Sequence, residues 1–182
     1  MTTAPSCILL MGVSGSGKTT LGQALARELG WHFADADAFH SAANVAKMHA
    51  GQPLNDTDRA LWIASLHRRL AESLAKMQPT VLACSALRKR YRTQLLDGFP
   101  PHAVRLVYLQ GSRELLATRL ATRRNHFMPA ALLGSQLATL EEPGTDENAL
   151  VLDIARPLTE LVSQICKTFT LKPGCTVASP HT

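Results

Sequence analysis

Gly12-Val13-Ser14-Gly15-Ser16-Gly17-Lys18-Thr19 is the stretch whose reading decides the fold. It matches the pattern G-x-x-x-x-G-K-[ST], in which a glycine-rich backbone turns its N–H groups onto phosphate oxygens. The flanks suit that reading. Ahead of it, Cys7-Ile8-Leu9-Leu10-Met11 is an apolar run with the length of a buried strand. Behind it, Thr20 to Leu29 has helical spacing, with Leu21, Leu25 and Leu29 on one face. In a strand–loop–helix of this kind, Gly12, Gly15 and Gly17 allow dihedrals that a side chain would forbid. The positive end of the helix dipole adds to the pull on an anion. Val13, Ser14, Ser16 and Thr20 complete the loop, Lys18 reaches toward the β- and γ-phosphates, and the Thr19 hydroxyl is placed to ligate Mg²⁺. A glycine-rich turn that matched by chance would lack the strand and helix in register. The pattern predicts binding of a nucleoside triphosphate.

Outward from this loop, strands and helices alternate, which implies a mainly parallel sheet covered on both faces. Trp31-His32-Phe33-Ala34 reads as a strand ending at Asp35-Ala36-Asp37. Ala42 to Ala50 reads as a helix. Asn55 or Asp56 caps a long helix reaching about Met77, with Trp62, Leu66, Leu70 and Leu74 on one face. Thr80 to Cys84 is a buried strand, followed by a helix from about Lys89 to Asp97. A strand Val104 to Leu109, a helix from about Ser112 to Thr122, a strand Leu150 to Ile154 and a final amphipathic helix through Phe169 complete the order. One domain over residues 1–172 is expected, with residues 173–182 as a frayed tail.

Composition narrows the class. A chain of 182 residues buries roughly 70% of its unfolded surface, enough for one core. No apolar run approaches the ~20 residues of a membrane span, and the N-terminus lacks a basic region followed by a long apolar stretch. The four cysteines, Cys7, Cys84, Cys166 and Cys175, show neither metal-pair spacing nor a disulfide framework. A cytoplasmic enzyme is expected. The net charge of +5 raises nucleic acid as a partner, but aromatic residues make up only 5% of the chain and do not interleave the basic clusters. Clustered cations suit anionic small substrates better.

Three further clusters bear on what receives the phosphate. Asp35-x-Asp37-x-x-His40 falls at the carboxyl end of the second strand, the edge at which open α/β sheets bind ligands. Two carboxylates two residues apart on an extended segment point the same way, so one can hold a metal-bound water while the other accepts a hydroxyl proton. An Asx turn or helix cap is the alternative. The second cluster is Gly51-x-Pro53-Leu54-Asn55-Asp56-x-Asp58-Arg59-x-x-Trp62. There Arg59 opposes the helix dipole, which implies an anionic partner, either a neighbouring Asp or a substrate. In the third, Cys84-Ser85-Ala86-Leu87-Arg88-x-x-Tyr91-Arg92, small residues admit a ligand close to the backbone, and Arg88 and Arg92 are spaced to share a helix face. A solvated basic face is the alternative there. Arg119, Arg123, Arg124 and His126, with Gln136 beyond, suit a lid over the nucleotide at about 123–136; a charged amphipathic helix is the alternative, and it suits Arg113 and Arg124 better than Arg119 and Arg123.

Together these motifs, with Asn44-x-x-Lys47-Met48 and Glu142-Pro143, resemble the gluconate kinase (gluconokinase) family from about Ile8 to Phe169. The chain departs from the family pattern at Ala36, Ser41 and Asn125. The resemblance implies an α/β P-loop kinase fold like that of adenylate and shikimate kinases: a five-stranded parallel sheet, helices on both faces, a lid, and a homodimer. It implies ATP and Mg²⁺, with D-gluconate phosphorylated on its 6-hydroxyl. In that scheme Lys18, Asp37 and Arg123 are catalytic, Thr19 and Asp35 serve the metal, and Arg119 joins residues 12–20 in holding the nucleotide. Asp37, His40, Lys47, Arg59, Ser85, Arg88, Arg92 and Gln136 face the sugar acid. A kinase for another hydroxylated acceptor such as shikimate, or a nucleotide-binding regulator without turnover, is the alternative. The Asp35/Asp37 pair disfavours the regulator, because a switch needs no base beside the γ-phosphate.

Overall fold

A computed structural model of the chain describes residues 4–50, 52, 54–122 and 131–174. Five strands, β1 (Cys7–Met11), β2 (His32–Asp35), β3 (Thr80–Ala83), β4 (Val104–Gln110) and β5 (Leu150–Asp153), form one sheet in the order β2-β3-β1-β4-β5. Every pairing is parallel. The central strand β1 is buried along its whole length, and its side chains divide by the strand's period of two. Ile8 and Leu10 enter one core, with Leu21 and Leu25 of α1 (Lys18–Leu29) and Ile165 of α7 (Leu158–Thr168). Cys7, Leu9 and Met11 enter the other, with Trp62, Leu66 and Leu70 of α3 (Asp56–Ala75). A run apolar on both faces is the mark of a strand sandwiched between helices.

The connections leave β1 and β3 in opposite directions. Through α1 the chain passes from β1 out to the edge strand β2, and β3 fills the gap between them. Through α4 (Lys89–Leu96) it then crosses to β4 on the far side of β1, where α5 (Arg113–Ala121) leads on. Such a reversal opens a crevice outside the carboxyl ends of the strands. The P-loop, the Asp35–Asp37 segment and the turn after β3 all leave the sheet at that edge.

Local chemistry sets the remaining boundaries. Asn55 caps α3 by a reciprocal box: its side chain accepts from Asp58 N at 2.8 Å, and Asp58 Oδ2 accepts from Asn55 N at 3.1 Å. The helix stops at Ala75, two residues short of the sequence reading, because Met77 turns left-handed (φ +51°). A helix α2 (Ala42–His49) precedes it, capped by Ser41. One helix has no counterpart in the sequence reading: α6 (Ala131–Thr139), in the second half of the expected lid. The first half of that lid, residues 123–130, lies outside the described residues, as do Gly51 and Pro53 of the second cluster.

Candidate active site

The phosphate loop has the geometry that its sequence demands. Gly12, Gly15 and Gly17 adopt φ of +148°, +84° and +91°. A Cβ on Gly12 would stand 2.8 Å from Ser16 Oγ and 3.0 Å from the Leu109 carbonyl oxygen. Lys18 Nζ folds back over the loop and donates to the Gly12 and Val13 carbonyls at 2.9 and 3.1 Å. The ammonium is therefore held directly above the backbone cradle. Ser16 Oγ is buried in the loop without a hydrogen-bond partner.

At the next strand end, Asp35 joins the loop's helix to the second segment. Its Oδ2 accepts from Thr19 Oγ1 at 2.9 Å, and its Oδ1 accepts from Asp37 N at 3.1 Å. Here the structure corrects the sequence argument. Asp35 ends β2, but Asp37 lies in a 3-10 turn, Ala36–Phe39, which Asp35 itself caps. The contact between them is Asp35's cap on the Asp37 N–H, the helix-cap alternative that the sequence left open, and not strand alternation. Asp37 is exposed at the sheet edge.

Trp62 floors this turn. Its Nε1 donates to the Ala36 carbonyl at 2.9 Å, and its indole stacks on the His40 ring with centroids 4.4 Å apart and planes 14° from parallel. His40 Nδ1 is buried without a hydrogen-bond partner. Burial disfavours the imidazolium more than the nearby Asp37 charge favours it, so the His40 pKa lies below the ordinary histidine value.

The cations of the second cluster already have partners. Lys47 Nζ donates to both oxygens of Asp58 at 2.8 Å, tying α2 to the start of α3. Arg59 Nη1 lies 3.8 Å from Asp56 Oδ1, so a neighbouring Asp balances its charge in the first turn. Asp56 also accepts from Arg90 Nη2 at 2.6 Å and from the Tyr91 hydroxyl at 3.0 Å. The Arg90 hydrogen bond foremost, then that from Tyr91, holds the Asp56 carboxyl below its usual range.

In the third cluster the two arginines part company. Arg88 is the N-cap residue of α4 and half-buried, and its guanidinium has no hydrogen bond or ion pair among the described residues. Arg92 turns inward: its side chain is only 1% exposed, and its guanidinium is occupied by Glu147 and by backbone carbonyls. Ser85 is half-buried beside the P-loop, and its carbonyl accepts from Gly12 N at 3.4 Å. Cys84 beneath it is inert, its thiol pushed up to about 12 by burial.

Gln136 meets the P-loop. From α6 its Oε1 accepts from Ser14 N at 2.7 Å, and its Nε2 donates to Ser14 Oγ at 3.0 Å. It grips the nucleotide loop. Arg119 Nη2 donates to the Ile154 carbonyl at 2.7 Å, beside a cavity of about 320 Å³ that opens against Gly15, Gly17 and Thr20 and is walled by Thr122, Arg156 and Leu158. Arg123 and its neighbours through Pro129 lie outside the described residues.

The segment after α6, where the sequence marked Glu142-Pro143 without giving it a role, reaches back to two other parts of the fold. Glu141 Oε2 accepts from Lys89 N at 2.7 Å, at the start of a helix whose N-cap residue has no side-chain capping bond. Glu142 Oε1 accepts from the Tyr108 hydroxyl and from Gln110 Nε2, at the end of β4. Each partner is more than thirty residues away, so no local pattern announces it.

Fold and loop together define a P-loop kinase, with the Asp35 carboxylate held to Thr19 at the end of the phosphate loop. Comparison with known proteins agrees. The AAA domain family model matches residues 7–143. A gluconokinase of Gluconobacter oxydans (strain 621H) is 52% identical over 143 residues, 79% of each chain. A protein of Xenopus tropicalis named "Probable gluconokinase" is 44% identical over 171 residues, covering 87% of this chain and 90% of that one. Among solved structures, a gluconokinase from Sinorhizobium meliloti 1021 superposes with a TM-score of 0.80 at 41% identity, covering 91% of this chain and 92% of that one. A shikimate kinase from Acinetobacter baumannii shares the fold alone, at 23% identity and a TM-score of 0.60. The chain belongs to the gluconokinase family.

Proposed function

We propose that the chain transfers the γ-phosphoryl group of ATP to the 6-hydroxyl of D-gluconate, giving 6-phosphogluconate and ADP. Family membership at this identity makes it an ATP-dependent sugar-acid kinase. The observation that supports the site assignment is Asp35, which accepts from the Thr19 hydroxyl and from the Asp37 N–H and so ties the phosphate loop's helix to the segment that carries the exposed Asp37. In-line phosphoryl transfer needs a group there to orient and deprotonate the attacking hydroxyl.

Each residue's part follows from its place. Lys18 exchanges the Gly12 and Val13 carbonyls for phosphate oxygens and offsets their charge. Asp37 takes the hydroxyl proton. His40 on its Trp62 floor, Ser85, Arg88, Arg59 and Lys47 form the acceptor side, with Arg88 the cation best placed for the sugar carboxylate. The cavity beside Arg119 takes the adenine, and Arg123 is the lid arginine. Among the described residues no cluster of three His, Cys, Asp or Glu could hold a metal by itself. One hydroxyl and one carboxylate 2.9 Å apart nevertheless fit Mg²⁺, which takes few protein ligands and fills its octahedron from phosphate and water. Thr19 would ligate it directly and Asp35 through water; the ion supplies neutralisation of the triphosphate charge. The family resemblance supports a homodimer in the cytoplasm, and no described helix is long and apolar enough to cross a membrane.

ADP release with ATP and Mg²⁺ tests the reading, one acceptor at a time: D-gluconate, shikimate, glucose and none. Gluconate-dependent turnover well above the rest is expected. Equal rates with and without acceptor would contradict it, and preference for shikimate would move the substrate while leaving the kinase.

A further inference from the structure

The turn that follows β3 is strained at one residue. Ala86 is buried and has φ +41°, in the left-handed region where a Cβ crowds the following carbonyl. Such a conformation persists only where the surroundings over-determine it. Here the surroundings are Arg92 and Glu147. Arg92 Nη1 donates to the Ala86 carbonyl at 3.1 Å and to the Leu87 carbonyl at 3.2 Å. The other edge of the same guanidinium grips Glu147, Nε to Oε2 at 2.5 Å and Nη2 to Oε1 at 2.8 Å. The Glu147 side chain is 11% exposed, so the pair is largely dry.

A buried ion pair is weak grounds for stability, because desolvation offsets most of the attraction. Its worth here is geometric. A planar guanidinium fixed by a carboxylate on one edge presents donors in a fixed direction on the other, which a lysine cannot do. Those donors end on the two carbonyls between Ser85 and Arg88. We propose that Arg92 is a positioning residue for the acceptor side: clamped by Glu147, it holds the strained Ala86–Leu87 turn so that Ser85 and Arg88 meet the sugar acid. The inference rests on the reading that Ser85 and Arg88 face the acceptor.

The test uses the full chain with gluconate and ATP varied separately, and the melting temperature alongside. Arg92→Lys is expected to raise the KM for gluconate about tenfold, with the KM for ATP held within about twofold. Adding Ala86→Gly, which removes the left-handed strain, is expected to recover part of that rise. A merely structural arginine would lower the melting temperature and the active fraction while leaving both KM values alone; that result overturns the proposal, as does an equal rise in both. Should Arg92→Lys fail to fold, Glu147→Gln is expected to give the same gluconate-selective shift, and its absence there overturns the proposal equally. Arg88→Ala separates the two levels. If it leaves the gluconate KM unchanged, the acceptor reading fails and this inference with it. If it raises that KM and Arg92→Lys does not, the positioning role alone fails.

Discussion

Two turns leave the same edge of the sheet and hold unusual backbone by opposite means. The P-loop does it locally: three glycines absorb the positive φ angles, and Lys18 closes over carbonyls five and six residues away. The Ser85–Arg88 turn does it at a distance: an alanine takes the left-handed conformation, and Arg92, Glu141 and Glu147 pin it from elsewhere. Relief of strain by composition is written in a short motif. Relief by long-range contact is visible only once the chain has folded.

The comparison breaks most dramatically at the P-loop. Gly12→Ala places a Cβ 3.0 Å from the Leu109 carbonyl, a backbone atom that cannot swing aside. It is expected to destabilise by about 1–3 kcal/mol, read from denaturant unfolding. Lys18→Ala is expected to cut the gluconate-dependent rate by about 10²–10³-fold with the fold intact, read from ADP release and circular dichroism. Gln136→Ala sharpens the comparison, since it removes the distant grip that the P-loop does have. Losing two neutral hydrogen bonds at Ser14 is expected to raise the KM for ATP by up to about tenfold and spare that for gluconate.

A smaller effect comes from His40. Its pKa is lowered in the fold, so the unfolded chain binds the proton more readily than the native one does. Its share of stability is therefore complete above the ordinary histidine pKa of about 6.5 and declines as pH falls below it, toward the depressed native value. Unfolding midpoints measured down through that range are expected to fall less steeply in His40→Phe, which keeps a ring against Trp62. The smallest expected change is Ala86→Gly alone. Relief of left-handed strain and the added freedom of the unfolded chain nearly cancel, leaving a gain within about 1 kcal/mol in thermal unfolding.

What the sequence disclosed follows the same division. Apolar runs bounded by turns gave β1, β3 and β4, because a strand buried on both faces has no alternation to obscure it, and the partly exposed edge strands β2 and β5 were read from their place in the strand–helix order. The P-loop, α1 and α3 were legible from spacing and caps. The short helix α6 was not. Gly134 and Ser135 interrupt it, although Leu133, Leu137 and Leu140 keep a helical interval and Leu133 is buried. The burial of Arg92 was not legible for a reason of physics: a basic residue one turn beyond Arg88 reads as surface until Glu147 is known to meet it. Arg59 was half-read, since its position demanded an anion and Asp56 supplies one. At Asp35 and Asp37 the sequence left an extended segment and a helix cap open, and the structure shows the cap, a bond that depends on Asp35 itself and curls the chain after β2.

The central claim is that chemistry occurs at the carboxylate beside the phosphate loop. Single-turnover ADP formation by Asp37→Asn, with saturating gluconate and Mg²⁺-ATP, tests it most directly, with ATP affinity measured in parallel. The account predicts a rate lower by about 10²–10⁴-fold and an ATP affinity within about twofold of the parent. An asparagine variant that turns over at the parent's rate would contradict it and remove Asp37 from the role of base.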